Sequence, residues 1–214
     1  EIAPFTRQAA SYGYLLDNFS DYLSCGINKD QKLRAVLGGM NPNVTKPEDF
    51  EKLCSSFLGE CETVVVDQNE FALAEVGQSK SRAVKSALEN LPPELDNISL
   101  MICDFTFDFM TDEQIRQFDS FWSGHTRDNS LLMFAYQSPA IALIAKLQYR
   151  VKYGLKIYYR TPEKMSTLLK SQKMIISAIT DNGEGILLFA PKSSEFTPHV
   201  GNPIGLGFES KAFS

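Results

Sequence analysis

The sequence lacks the features that mark a membrane protein, a metal protein or a nucleophilic enzyme. Its apolar runs, such as residues 140–145, are far shorter than the roughly 20 residues of a membrane-spanning helix. The two histidines and four cysteines have no CxxC or comparable spacing. Walker A, GxGxxG and GxSxG motifs are also missing. We therefore predict no membrane span, no metal, no cofactor and no catalytic residues.

An intact signal peptide is also missing, because no basic region followed by an apolar core stands at the start of the sequence. The first residue is Glu1 rather than Met, which is consistent with a processed or trimmed N-terminus. The four cysteines fit reduced thiols, and Cys54 and Cys61 meet only if the turn between them folds back. We therefore expect an intracellular, cytoplasmic protein.

The 214 residues, of which 43% are hydrophobic and 22% charged, are typical of a globular protein. Residues 1–58 show helical periodicity and turn signals, which predict helices over residues 6–25, 30–37 and 45–57. We therefore expect a helical N-terminal region over 1–58 that packs on the main domain.

Residues 59–192 predict an α/β domain. It begins with a β-hairpin of residues 63–66 and 71–74, followed by a helix that ends near residue 91. Strands then alternate with helices, which favours βαβ units and a mixed, mainly parallel sheet flanked by helices, with a C-terminal hairpin. The predicted strands cover residues 98–109, 130–136, 155–160, 174–180 and 186–189.

The centre and the end of the chain differ in pattern. Residues 98–105 and 130–136 are apolar throughout, which is typical of strands buried on both faces, so we place them at the centre of the sheet. Residues 193–214 are rich in Ser, Pro and Gly, and they predict a tail that wraps the surface or is disordered.

A basic segment, residues 146–173, stands out in a chain of net charge −5. It holds eight of the 21 Lys and Arg residues, one of the 26 Asp and Glu residues, and four of the eight tyrosines. Its helical and strand periodicity turns only part of these side chains outward. We predict a ligand-binding surface formed by Lys146, Arg150, Lys152, Lys156, Tyr158 and Arg160.

Two interpretations of the basic segment stay open. Cations interleaved with tyrosines neutralise phosphates and stack bases in proteins that bind single-stranded nucleic acid. The same residues also form the solvated face of an α/β sheet, pairing with acids of the same chain or of a partner protein. The acidic overall charge favours the second interpretation.

Two carboxylates end the first long apolar run. In an extended chain Asp104, Thr106 and Asp108 point the same way, near the carboxyl end of a predicted parallel strand, where α/β proteins bind ligands. Two carboxylates there would hold Mg²⁺ or act as acid and base. A strand that leaves the core for a polar turn has the same pattern, and we favour that simpler interpretation.

The segment Asp181-Asn-Gly-Glu-Gly-Ile186 resembles the DNGxGI box of the histidine kinase and related GHKL ATPases. Residues 201–207 have a weak similarity to their second glycine box. The resemblance implies a nucleotide-dependent enzyme in which Asp181 binds adenine. However, the helix that should carry an asparagine is missing, since residues 162–170 contain none. Asn-Gly between apolar runs is also a strong hairpin signal, which we favour.

These observations predict a non-enzymatic binding or adaptor protein whose partner is another protein, with acidic and basic surfaces as the contacts. Binding of single-stranded nucleic acid or a phosphorylated ligand through residues 146–173 is the alternative. A nucleotide-dependent enzyme built on residues 181–186 is the third and weakest hypothesis.

Overall fold

We describe the protein from a computed structural model, which covers residues 12–13, 15–17, 19, 23, 32–40, 46–137, 150–151, 154, 156–179 and 184–194. In these residues the strands are β1 Leu33–Gly38, β2 Cys61–Asp67, β3 Arg82–Lys85, β4 Ile98–Asp104, β5 Thr126–Gln137, β6 Gln172–Ile179 and β7 Glu184–Pro191. The helices are α1 Pro47–Leu58, α2 Glu70–Ala74, α3 Asp112–His125 and α4 Pro162–Leu168. Three short 3₁₀ turns cover Glu75–Gln78, Leu88–Asn90 and Thr106–Phe109.

The seven described strands form one sheet in the order β3-β2-β1-β4-β5-β7-β6. Strand β1 pairs in parallel with β2 and β4, and β4 pairs in parallel with β5. Strand β7 runs antiparallel to both β5 and β6. The prediction of a mixed, mainly parallel sheet flanked by helices, with a C-terminal hairpin, is confirmed.

The strand order reverses between β1 and β4. The chain builds β1, β2 and β3 toward one edge, then returns to the other side of β1 and continues with β4 and β5. Loops that leave the carboxyl ends of β1 and β4 therefore diverge to opposite sides of the sheet. In open α/β sheets this divergence leaves a crevice at the carboxyl edge, where ligands bind.

Two hydrophobic clusters, one on each face, hold helices against the sheet. Helix α1 packs Phe50 and Leu53 into the first cluster, and α3 packs Phe118 and Trp122 into the second. Strands β1, β4 and β5 contribute side chains to both clusters. Strands that are buried on both faces read as continuous apolar runs, and that pattern predicted β4 and β5 correctly at the middle of the sheet.

Helix α3 begins at a well-formed N-terminal cap. Thr111 and Gln114 form a capping box, in which each side chain bonds the other residue's backbone N–H. Two acidic residues follow in the first turn, where they interact favourably with the helix dipole.

The prediction of a helix over residues 30–37 is wrong. Residues 33–38, with the sequence LRAVLG, form β1, which lies between β2 and β4. An apolar run of this length is ambiguous between a buried strand and a short helix. Residues 1–58 are therefore not entirely helical.

Three other local predictions are wrong. Residues 71–74 lie in helix α2, capped by the Asn69 side chain, so they form no hairpin with β2. Arg82–Lys85 is the short edge strand β3 rather than part of a helix ending near residue 91. Residues 156–160 lie in no strand.

The division into residues 1–58, 59–192 and 193–214 stays a prediction, since most of residues 1–31 and 195–214 lie outside the described ranges. Where the chain is described, no helix is long and apolar enough to cross a membrane. Cys54, Cys61 and Cys103 are not joined in disulfides. Burial raises the pKa of the Cys54 thiol, whereas a hydrogen bond from Cys54 lowers the pKa of Cys61.

Candidate functional site: a groove at the carboxyl ends of β1 to β4

A groove of about 100 Å³ lies at the carboxyl edge of the sheet, beside the point where the strand order reverses. Residues that follow β1, β2, β3 and β4 all contribute to it, and the start of α3 closes one side. The residues that bear on its chemistry are Gly39, Asp67, Ser86, Glu89, Thr106 and Phe109.

Asp67 is the last residue of β2 and supplies a carboxylate to the groove. Its Oδ2 accepts a hydrogen bond from the Met40 backbone N–H at 2.7 Å, and its Oδ1 accepts one from the Asn69 N–H at 2.7 Å. These bonds fix the carboxylate, while each oxygen keeps a further lone pair. In doubly wound folds an acidic residue in this region binds ribose hydroxyls.

Gly38 and Gly39 form a tight turn after β1. Gly39 has φ +80°, and its N–H donates to the Val66 carbonyl at 2.8 Å. A Cβ atom would lie 2.7 Å from the Cys103 Sγ if built on Gly38, and 2.3 Å from the Thr106 Oγ1 if built on Gly39. Only glycine fits both positions without rearrangement.

The chain turns sharply at the end of β4. Phe105 adopts φ 58°, and the following 3₁₀ turn brings the Thr106 hydroxyl within 2.8 Å of the Gly38 carbonyl, to which it donates. The favoured interpretation, a strand that leaves the core for a turn, is therefore confirmed, although the strand ends at residue 104 rather than 109. Asp104, Thr106 and Asp108 do not share one face of an extended strand.

The two carboxylates near this turn have different surroundings. Asp104 Oδ1 accepts a hydrogen bond from the hydroxyl of the buried Tyr12 at 3.0 Å, and burial together with this carboxylate raises the pKa of Tyr12. Asp108 is buried, and its backbone carbonyl accepts from the Tyr158 N–H. Among the described residues no cluster of His, Cys, Asp or Glu is suited to hold a metal ion.

The other end of the groove is formed by the loop after β3. The Ser86 N–H donates to the Asp67 carbonyl at 3.0 Å, and the Ser86 hydroxyl donates to the Asn90 carbonyl at 2.6 Å, which shapes the loop. Glu89 Oε1 accepts from Gln114 Nε2 at 2.7 Å, so its carboxylate is fixed at the groove. The Phe109 ring adds a partly exposed apolar surface.

This combination of groups suits a purine nucleoside. The Asp67 carboxylate matches a pair of ribose hydroxyls, Glu89 matches an exocyclic amine, and Leu88 and Phe109 match the apolar faces of a base.

Of the residues predicted from the basic segment, the four that the structure describes, Arg150, Lys156, Tyr158 and Arg160, do not line this groove. Lys146 and Lys152 lie outside the described residues, and Arg150 is an exposed helical residue. The exposed Lys156 places its Nζ 4.7 Å from the centre of the half-buried Tyr158 ring. Ligand binding by this set stays a prediction.

Arg160 was expected to face outward, and that expectation is wrong. Its side chain is 5% exposed, and it donates to the Asp112 carboxylate and to the carbonyls of Phe107 and Met110. Its hydrogen bond is also the main reason why the pKa of Asp112 lies below its usual value. Arg160 therefore holds the 3₁₀ turn after β4 against the start of α3.

The segment that resembles the GHKL box is only partly described. Asp181, Asn182 and Gly183 lie outside the described residues, whereas Ile186 is a buried residue of β7. Strand β7 begins at Glu184, within this segment, and pairs antiparallel with β6, as the predicted C-terminal hairpin requires.

The sequence analysis missed Gly38, Gly39, Asp67 and Glu89. A usable signal was present, since a glycine pair ends one apolar run and an aspartate ends the next. The signal went unused because the first of these runs was assigned to a helix.

No protein-family model matches the chain, and no curated protein matches it. Several solved structures are similar to it. The N-methyltransferase NodS from Bradyrhizobium japonicum WM9, in complex with S-adenosyl-L-homocysteine, has a TM-score of 0.58 at 14% identity, covering 88% of each chain. Magnesium protoporphyrin IX methyltransferase from Synechocystis PCC 6803, also with bound S-adenosylhomocysteine, has a TM-score of 0.57 at 11% identity, covering 86% of this chain and 84% of that one.

A third similar structure is LepI, solved with S-adenosylhomocysteine and a substrate analogue, and also with S-adenosylmethionine. It has a TM-score of 0.62 at 12% identity, and the match covers 86% of this chain but 52% of LepI. A structure described as a pericyclic reaction enzyme has the same TM-score, identity and coverage.

At these identities the similarity shows the fold. This chain has the fold found in S-adenosylmethionine-dependent methyltransferases. That finding overturns our prediction of a non-enzymatic, protein-binding adaptor.

Proposed function

We propose that the protein binds S-adenosylmethionine in the groove at the carboxyl ends of β1 to β4 and transfers its methyl group to an acceptor. The observation that carries the proposal is the position of the groove, at the reversal of the strand order, in a fold similar to that of methyltransferases solved with S-adenosylhomocysteine. Asp67 and Glu89 add the hydrogen-bond acceptors that a nucleoside requires.

The residues present fit the nucleoside part of this ligand. Asp67 would bind the ribose hydroxyls, Glu89 would accept from the exocyclic amine of adenine, and Phe109 would cover one face of the base. A volume of about 100 Å³ is smaller than the roughly 300–1,000 Å³ usual for ligand pockets. The rest of the ligand must therefore extend beyond this groove.

When bound, the ligand supplies a methyl group on a positively charged sulfur; a nucleophile of the acceptor takes the methyl group, and the sulfur leaves as part of S-adenosylhomocysteine. The contribution of the chain is to hold the ligand and to position the acceptor. Asp104 lies after β4, near the reversal point, and its hydrogen bond with Tyr12 connects it to the N-terminal helical residues.

The binding part of the proposal is tested by isothermal titration calorimetry with S-adenosylhomocysteine. Wild-type protein is expected to bind, and Asp67→Asn to lose at least about tenfold in affinity, because an amide nitrogen replaces a charged acceptor. The matched control is Asp96→Asn, which changes an exposed carboxylate at the opposite end of the sheet. No binding to the wild-type protein would overturn the proposal.

A second candidate is an S-adenosylmethionine-dependent enzyme that catalyses a different reaction, and the similarity to a solved pericyclic reaction enzyme favours it. The two candidates are separated by incubating the protein with methyl-labelled S-adenosylmethionine and pools of acceptors. Labelled acceptor and released S-adenosylhomocysteine support methyl transfer. Tight binding without label in any acceptor class supports the second candidate.

The acceptor and its partners belong to the same proposal. Exposed cations at Arg150 and Lys156 suit an anionic acceptor, such as a nucleic acid or a phosphorylated ligand, and a protein acceptor stays an alternative. Anisotropy titrations with single-stranded oligonucleotides at two salt concentrations test for a nucleic-acid acceptor, since phosphate contacts weaken steeply with salt. A cytoplasmic location fits the reduced thiols and stays part of the proposal.

A further inference from the structure

The order of the strands determines the order in which the lining residues follow one another along the groove. Along the carboxyl edge, the loop after β3 comes first, then Asp67 at the end of β2, Gly39 after β1, and Thr106 after β4. If the base lies at Glu89 and the ribose at Asp67, the substituent on the ribose 5′ carbon points toward Gly39 and Thr106. This orientation rests on the proposed function.

Thr106 occupies the space at that end. Its hydroxyl donates to the Gly38 carbonyl at 2.8 Å, and its side-chain atoms would lie 2.3 and 2.8 Å from a Cβ atom on Gly39. The space opened by the absent side chain of Gly39 is therefore filled by Thr106 rather than left for a ligand. In the orientation proposed above, a bulky 5′ substituent would meet this side chain, whereas adenosine lacks that substituent.

We propose that Thr106 is a specificity-determining gate, which favours ligands with a small 5′ group and must rotate away before the amino-acid end of S-adenosylmethionine is admitted. Opening the gate breaks one hydrogen bond, that from the Thr106 hydroxyl to the Gly38 carbonyl. The position of the gate is fixed by its neighbour Phe105, whose φ of 58° directs the turn toward β1.

The test compares two ligands on the same protein by calorimetry. S-Adenosylhomocysteine carries the bulky 5′ substituent, and adenosine lacks it. Thr106→Ala is expected to raise the affinity for S-adenosylhomocysteine about fivefold, because the side-chain volume that blocks the 5′ substituent is removed. Its affinity for adenosine is expected to stay at the wild-type value.

Two further variants separate the effect of side-chain volume at position 106 from the effect of substituting any threonine. Thr106→Val keeps the volume of the side chain and is expected to give no gain for S-adenosylhomocysteine. Thr167→Ala removes a threonine whose hydroxyl also donates to a backbone carbonyl, that of Lys164, on an exposed part of α4 outside the groove. It is expected to leave both affinities unchanged.

The outcomes distinguish this inference from the proposed function. If both ligands bind but Thr106→Ala leaves the affinity for S-adenosylhomocysteine unchanged, or lowers it, the gate proposal is wrong while the proposed function stands. If neither ligand binds the wild-type protein or any variant, the proposed function fails and the gate fails with it. Melting temperatures of the variants without ligand show whether each is folded.

Discussion

Comparison of the groove with the basic segment shows that unusual composition is a poor guide to where a candidate site lies. Residues 146–173 are conspicuous because they concentrate positive charge and tyrosines in an acidic chain. The chemistry of the groove depends on a glycine, a serine, a threonine, a phenylalanine and two acidic residues, which draw no attention in a sequence. In the structure the groove residues lie together at the carboxyl edge of the sheet, whereas Arg160 of the basic segment stabilises the fold.

The difference lies in what each polar group contacts. Arg160 and Lys164 both pair with Asp112, so their charges are used within the protein. At the groove, Asp67 also makes hydrogen bonds, but these orient it beside an open space. Four experiments test this contrast.

The largest expected effect belongs to the buried arginine of the basic segment. Arg160→Met should lower the free energy of unfolding by about 3 kcal/mol, because the carbonyls of Phe107 and Met110 lose a donor and Asp112 loses its closest cation. Urea denaturation provides the measurement. Lys170→Met, at an exposed position, is the control. A loss below about 1 kcal/mol would show that Arg160 is not structural.

The glycine turn of the groove should give the next largest effect. Gly39→Ala is expected to lower the free energy of unfolding by about 2 kcal/mol, because alanine is strained at φ +80° and its Cβ would collide with Thr106. The double variant with Thr106→Ala should recover part of this loss. Gly77→Ala, where a Cβ meets no atom within 4 Å, should change stability little. Equal losses in the single and double variants would argue against the collision.

The ion pair at Asp112 predicts a dependence on pH. Its folded-state pKa lies below the usual 3.8, so the pair contributes stability that is present above that value and disappears as the pH falls through the lower folded pKa. Asp112→Asn should lower stability by about 1 kcal/mol at pH 7, a figure kept small because this carboxylate is partly exposed.

Urea denaturation of Asp112→Asn and wild type at pH 7 and at pH 3 measures this effect, and the difference should shrink at the lower pH. Glu113→Gln, which changes a more exposed carboxylate of the same helix, is the control. A difference that is constant with pH would exclude the ionised pair as its source.

The smallest effect is expected at the exposed end of the basic segment. Lys156→Gln should change the free energy of unfolding by no more than about 0.5 kcal/mol, since its contact with the Tyr158 ring is solvent-exposed. Thermal unfolding of this variant, compared with that of Arg160→Met, provides the measurement. A comparable loss in both variants would show that the whole segment, rather than Arg160, supports the fold.

Much of the fold could be predicted where burial leaves a clear pattern. Strands β4 and β5 read as continuous apolar runs, and α3 begins at a capping box that is visible in the sequence. Strand β1 was missed because LRAVLG is six residues long, too short for periodicity to separate a strand from a helix. Strand β3 was missed because its four residues are mostly exposed at the edge of the sheet.

The candidate site was predictable only in part. The sequence placed Thr106 near the end of a strand predicted over residues 98–109, where a ligand site was one interpretation and a polar turn the favoured one. The rest depends on which strands are neighbours, since Gly39 and Asp67 meet only because β1 and β2 pair in parallel. No local sequence pattern predicts that pairing.

The position of β1 has a consequence for how the protein folds. Its partner on one side is β4, so that Ala35 pairs with Leu100, 65 residues later in the chain. Joining segments so distant carries a large entropic penalty before any contact is gained, and chains dominated by such pairings fold slowly, on a scale of about milliseconds to seconds. The groove lies beside this same junction, so a ligand-competent surface should form late, after the two halves of the sheet have met.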